Sequence, residues 1–162
     1  MSLTALVAVV GTCIAVLQIQ SGVGLRRCWR LGTVFARSLT SRMRARVARS
    51  QPALDRSAVI GMFADVADEM GPPFARYCKS VLDAAFEGLV DEDPFIRQNS
   101  CVCVGNVLSN FPLLDRVPEA LRALAPLFEG ERDIGGVRDN ATSALARMVR
   151  RLRLRWPGRR KN

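Results

Sequence analysis

The side chains of this sequence that could do chemistry are three adjacent acids, Asp91, Glu92 and Asp93, and two thiols, Cys101 and Cys103. An enzyme requires a convergent set of such groups. The acids occupy a predicted turn, and residues two positions apart on a helix point about 200° apart, so the thiols cannot chelate one ion. The absence of His excludes hydrolase triads and His-containing zinc sites. We therefore expect no enzyme, no catalytic residue, no metal and no cofactor.

Charge is segregated along the chain of 162 residues. Residues 1–54 contain eight Arg and no acid, and residues 147–162 contain eight bases and no acid. Residues 55–146 contain all fifteen acids and eight bases, a net charge of −7 within a chain of net charge +9. Such asymmetry predicts one acidic globular unit between two basic extensions. The odd number of Cys, five, favours a reducing compartment.

The two extensions differ from the central unit. Residues 1–25 form an uncharged, largely apolar leader, close to the lower limit of the roughly 17–25 apolar residues of a membrane-spanning helix. The Arg residues follow this leader, whereas a signal peptide carries its positive charge first. We expect no membrane span here, with membrane or organelle attachment as the alternative. Residues 26–54 are an Arg-rich, partly helical segment, and residues 150–162 a disordered basic tail that does not bind nucleic acid.

Between residues 55 and 149 the apolar residues recur at helical spacing and predict five helices and no strand. Asp93 is a suitable N-cap and Pro94 suits the first helical position. Pro126 is expected to kink the fourth helix. The apolar run from Cys101 to Val104 is interpreted as a helix buried on more than one side.

These helices show an internal repeat. Arg56, Arg97 and Arg138 are spaced 41 residues apart, and the apolar residues Phe63 and Val104 keep the same offset. This period lies within the roughly 40–47 residues of HEAT and armadillo repeats. The sequence therefore predicts an all-α superhelix of HEAT/armadillo type with about two and a half repeats. Because both end faces of so short a stack are uncapped, we also expect self-association.

Two stretches carry a family resemblance: Asp91–Arg97 reads Asp-Glu-Asp-Pro-Phe-Ile-Arg, and Val137–Met148 opens with Val-Arg-Asp-Asn-Ala. Together with Ser57–Ala67 and Leu124–Phe128, they make residues 55–149 similar to the importin-beta (karyopherin-beta) superfamily, and specifically to its importin-four branch. The resemblance implies a fragment of a nuclear import receptor that acts in the cytoplasm and the nucleus. It implies basic protein cargo and nucleoporins as partners. The family's site for the small GTPase Ran lies mainly in N-terminal repeats, which this sequence does not match.

The resemblance also implies roles for individual residues. In the family, the turn Asp and the Arg that opens the second helix of a hairpin join successive repeats by hydrogen bonds, and the matching residues are Asp93, Arg97 and Arg138. The second helices, here 56–70, 96–109 and 137–149, line the concave surface. The acids on them that could face a basic cargo are Asp65, Asp68, Glu69 and Asp139.

An alternative function is a generic HEAT scaffold in a phosphatase or chromatin complex, because a fold does not fix a function.

Overall fold

The computed structural model describes residues 51–69, 71–129 and 136–155. All regular structure in these ranges is helical, which confirms the all-α prediction for them. The five α-helices are α1 Ala53–Glu69, α2 Cys78–Leu89, α3 Pro94–Asn110, α4 Val117–Leu124 and α5 Val137–Arg155. Three 3₁₀ helices join them: Pro72–Tyr77, Leu114–Arg116 and Ala125–Phe128. Outside the described residues lie the apolar leader, most of the Arg-rich segment, residues 130–135 and the end of the tail.

Helix α3 is the centre of the packing. It contacts α1 on one side and α5 on the other, and α2 packs across it. Contacts between α1 and α3 advance in the same direction along both helices, from Ser57 with Asn99 to Ala67 with Asn110, so these helices run parallel. Helix α2 leads into α3 through the turn at Asp91 and runs antiparallel to it, with Gly88 against Ser100.

The core lies between α1, α2 and α3. Its largest fully buried side chains include Phe63 of α1, Leu82 of α2 and Val104 of α3. Cys101 and Cys103 are both buried, which confirms that this run belongs to a helix covered on more than one side. Burial raises the pKa of the Cys101 and Cys78 thiols to about 12, and raises that of Cys103 as well.

Local chemistry explains where the helices begin and end. Asp93 caps α3 by accepting hydrogen bonds from the backbone N–H of Phe95 at 2.8 Å and of Ile96 at 3.2 Å, and Pro94 follows it. The expected kink at Pro126 is corrected: α4 ends at Leu124, and the chain continues as the 3₁₀ helix that contains Pro126. Because proline has no N–H, it cannot extend the α-helical bonding of α4.

The expected start of a disordered tail at residue 150 is also corrected. Helix α5 continues to Arg155, so residues 150–155 are helical. Arg and Leu dominate this stretch, and both are good helix formers. Cations also suit the C-terminal end of a helix, because its exposed carbonyls carry partial negative charge.

Gly105 determines how closely α3 and α5 approach. A Cβ atom at this position would lie 2.9 Å from the Cα of Ala144, which is backbone and cannot turn aside. Gly61 on α1 is different, because its Cβ would meet only the Asn99 amide group, at 3.3 Å. Gly105 and Gly61 thus provide a matched pair for testing close packing.

We expect Gly105→Ala to lower the free energy of unfolding by up to about 2 kcal/mol, because overpacking costs roughly 1–3 kcal/mol and the gain in helix propensity returns about 1 kcal/mol. Gly61→Ala should leave stability unchanged or slightly higher. Urea denaturation followed by far-UV circular dichroism measures both. Equal effects of the two substitutions would contradict a close α3–α5 contact.

Candidate functional site

One face of the α1, α3 and α5 helices lies away from α2. Ile60 and Ser100 mark the side that packs toward Gly88 of α2. Residues on the opposite side follow helical spacing and form what we call the outer surface. Its members are Leu54, Ala58, Gly61, Asp65, Asp68 and Glu69 on α1; Phe95, Asn99, Val102, Asn106, Ser109 and Asn110 on α3; and Asn140, Arg147 and Arg151 on α5.

Three asparagines of α3 bind the backbone of α1 along this surface. The Nδ2 of Asn99 donates to the carbonyl of Ser57 at 2.9 Å. The Nδ2 of Asn106 donates to the carbonyl of Ala64 at 3.1 Å. The Nδ2 of Asn110 donates to the carbonyl of Ala67 at 3.4 Å and also to the carboxylate of Asp68 at 2.8 Å. The spacing of 99, 106 and 110 places all three amides on one stripe of α3, so the stripe aligns α3 against α1.

Asn106 also reaches the third helix. Its side chain is buried, and its Oδ1 accepts a hydrogen bond from the guanidinium of Arg147 on α5. One amide therefore uses its donor on α1 and its acceptor on α5. A buried amide that lost either partner would incur a desolvation penalty, so this residue couples the positions of all three helices.

A second polar connection joins α1 to the turn before α3. Arg56 forms an ion pair with Asp91, and both side chains are largely buried. The Oδ1 of Asp91 also accepts a hydrogen bond from the backbone N–H of Asp93 at 3.1 Å. An adjoining pocket of about 560 Å³ is lined by Ala53, Arg56, Asp91, Glu92, Asp93 and Pro94. Arg56 and Asp91 pair with each other and Asp93 caps α3, so these three charged side chains serve the turn itself.

The residues predicted to join successive repeats act partly within one turn. Asp93 caps α3, as described above, and Arg97 donates to the carbonyls of Asp91 at 2.6 Å and of Glu92 at 2.8 Å. Arg138 lies half-buried in the first turn of α5. An ion pair between Arg56 and Asp91 connects this turn to α1. The sequence pattern did not indicate this role for Asp91.

The four acids predicted to face a partner are all exposed. Asp65, Asp68 and Glu69 lie together near the C-terminal end of α1. Partial burial, and then the neighbouring carboxylates of Asp68 and Glu69, raise the pKa of Asp65. Asp139 is separate from this group, because it lies in the first turn of α5. The structure therefore brings three of the four predicted acids together.

Charge changes in steps across the outer surface. Asp65, Asn106 and Arg147 are spaced 41 residues apart and form one row across the three helices. The adjacent row ends at Arg151 on α5. The α1 end of the surface is therefore acidic, the α3 middle is polar and uncharged, and the α5 end is basic. A partner of one charge sign is attracted to one end only.

The asparagine stripe was missed by sequence reasoning. Its signal is present, because Asn99, Asn106 and Asn110 recur at helical spacing on α3. Polar residues at such positions are costly unless they find partners, so their periodicity marks a contact with a neighbouring helix.

The chain matches no protein-family model, no curated protein and no solved structure. Within residues 51–69, 71–129 and 136–155, no helix is long and apolar enough to cross a membrane. The same ranges hold no group of three or more Cys, Asp or Glu side chains arranged to bind a metal ion. The apolar leader at 1–25 lies outside these ranges.

We expect Asn106→Ala to lower the free energy of unfolding by about 2–3 kcal/mol, because it removes two hydrogen bonds and leaves the Arg147 guanidinium without this acceptor. Ser109→Ala is the control, since the Ser109 hydroxyl donates to the carbonyl of Asn106 within the same helix. The control should cost less than about 0.5 kcal/mol. Chemical denaturation measures both, and equal losses would contradict the coupling role of Asn106.

We expect Asp91→Ala to destabilise the protein by about 3 kcal/mol, because breaking a buried pair leaves the Arg56 charge uncompensated. Glu92→Ala, which alters the adjacent exposed acid, should change stability by less than about 0.5 kcal/mol. The midpoint of urea unfolding measures the difference. A neutral Asp91→Ala variant would show that the ion pair does not hold the turn against α1.

Proposed function

We propose that this chain is a protein-binding helical-repeat unit that binds a basic segment of a partner protein at the α1 end of the outer surface. The observation that carries the proposal is the joint exposure of acids and large apolar side chains on that surface. Leu54 is 79% exposed and Phe95 is 63% exposed, and Asp65 and Asp68 share the face of α1 that carries Leu54. Leu54 and Asp65 lie about 16 Å apart along α1, so an extended segment can contact the apolar side chains at one point and the acids at another.

The electrostatics of the three α1 acids support a cationic partner. Repulsion from Asp68 and Glu69 contributes to the raised pKa of Asp65. A Lys or Arg side chain placed among these carboxylates relieves that repulsion, so its binding is favourable. The basic side chains of α5 lie at the opposite end of the surface, which favours one orientation of the bound segment.

We further propose that the helices form a HEAT-type solenoid and that the bound segment is basic cargo of an importin-beta-type nuclear import receptor. Two observations support this. Hydrogen bonds join α3 to α1 and to α5 between residues 41 to 43 positions apart, for example Asn106 with Arg147 and Ala67 with Asn110. The stretches at Asp91–Arg97 and Val137–Met148 carry the resemblance to that family.

The test uses a Lys/Arg-rich nuclear-localisation peptide with a fluorescent label. We expect Asp65→Asn/Asp68→Asn to weaken its binding about 3- to 10-fold at low salt, since each exposed charge pair contributes roughly 0.2–1 kcal/mol. The difference should shrink at high salt, because screening removes exposed charge interactions. Fluorescence anisotropy measures the affinity.

The control is Glu87→Gln/Glu129→Gln, which removes the same charge from two exposed positions outside the outer surface. Equal weakening by both double variants would indicate attraction to net charge alone and would contradict a defined site. Retention of a phosphatase subunit in a pull-down that retains no basic nuclear cargo would favour the scaffold function instead.

A further inference from the structure

Helix α5 has a second exposed face, distinct from the outer surface. Its members, which we call the α5 edge, are Asp139, Thr142, Ser143, Ala146, Val149 and Arg150, and all of them are exposed. Their spacing places them on one side of the helix. Val149 is an apolar side chain with 46% of its surface exposed.

The corresponding faces of α1 and α3 are largely covered, and the exception is Asp68, the exposed α1 counterpart of Arg150. Ala64 and Ala67 of α1 are buried, and their carbonyls accept hydrogen bonds from α3. Gly105 of α3 packs against α5, and Leu108 is only 5% exposed. Among residues 51–69, 71–129 and 136–155, nothing covers the face of α5 on which α1 and α3 each receive a neighbouring helix.

The charges of the α5 edge complement themselves under a two-fold axis. In an antiparallel pairing of two α5 helices centred between Ala144 and Leu145, Ser143 lies opposite Ala146 of the second copy. The same pairing places Asp139 opposite Arg150 of the second copy, and the two-fold axis generates this ion pair twice. The side chains near the axis are small, so the two helix backbones can approach closely, as α3 and α5 do at Gly105.

We propose that the α5 edge is a homodimer interface, in which α5 packs antiparallel on α5 of a second copy of this chain. An isologous contact of this kind closes on itself and produces a dimer rather than a filament. One helix pair buries less than the roughly 1,600 Å² of a standard interface, so the dimer dissociates in the micromolar range. This inference does not depend on the proposed binding of a basic segment, because that segment binds at the α1 end of the outer surface and the α5 edge lies on another helix.

The test is sedimentation equilibrium of the full chain and of two charge-reversed variants. Asp139→Arg places like charges opposite each other at both symmetric sites, and Arg150→Asp does the same with acids. We expect each single variant to dimerise about tenfold more weakly than the parent chain. An equimolar mixture of the two variants restores both ion pairs between unlike chains, so we expect heterodimers of parental affinity.

Glu87→Arg is the matched control, because it makes the same change of charge as Asp139→Arg on an exposed part of α2. It should leave dimerisation unchanged. Circular dichroism establishes that each variant keeps its helical content. A parent chain that stays monomeric at high micromolar concentration overturns the proposal, and so does a mixture that forms no heterodimer.

Discussion

The structure depends on one buried amide that must satisfy a donor and an acceptor on two different helices. Asn106 lies in the middle helix, gives its N–H to the carbonyl of Ala64 and takes a hydrogen bond from Arg147. A shift of either neighbouring helix by one turn would move its partner by about 5.4 Å, beyond the reach of the amide. Apolar contacts tolerate many registers, whereas this pair of hydrogen bonds tolerates one. The polar residue therefore selects the alignment, and the apolar core supplies most of the stabilisation.

The same alignment determines the charge pattern of the outer surface. Because Asn106 donates to the carbonyl of Ala64, the residue before Asp65, and accepts from Arg147, the side chains of Asp65, Asn106 and Arg147 lie in one row. The central Asn separates the acid from the base, so the charges of Asp65 and Arg147 do not neutralise each other by direct contact. A surface that carries both signs at a fixed separation can orient a partner as well as attract it.

Much of the fold follows from local rules, and part of it does not. Apolar spacing and the Asp93–Pro94 cap predict α3 because helix formation and capping depend on neighbours in sequence. The sequence predicts a kink at Pro126, whereas α4 ends before this residue. The sequence alone does not show whether tertiary contacts carry a helix across a proline. The position of Asp65, Asp68 and Glu69 on one exposed face was predictable from helical spacing. The partners of Asn106 and Asp91 were not, since they depend on distances between helices that are far apart in sequence.

The buried thiols can be used to measure how often the helices around them open. Cys78, Cys101 and Cys103 lie in the interior shared by α2 and α3, and burial keeps them in the unreactive protonated form. A thiol reagent modifies them only while these helices have moved apart. The labelling rate at each Cys therefore reports how often that part of the protein opens. Comparison of the three rates distinguishes local opening of α2 from global unfolding.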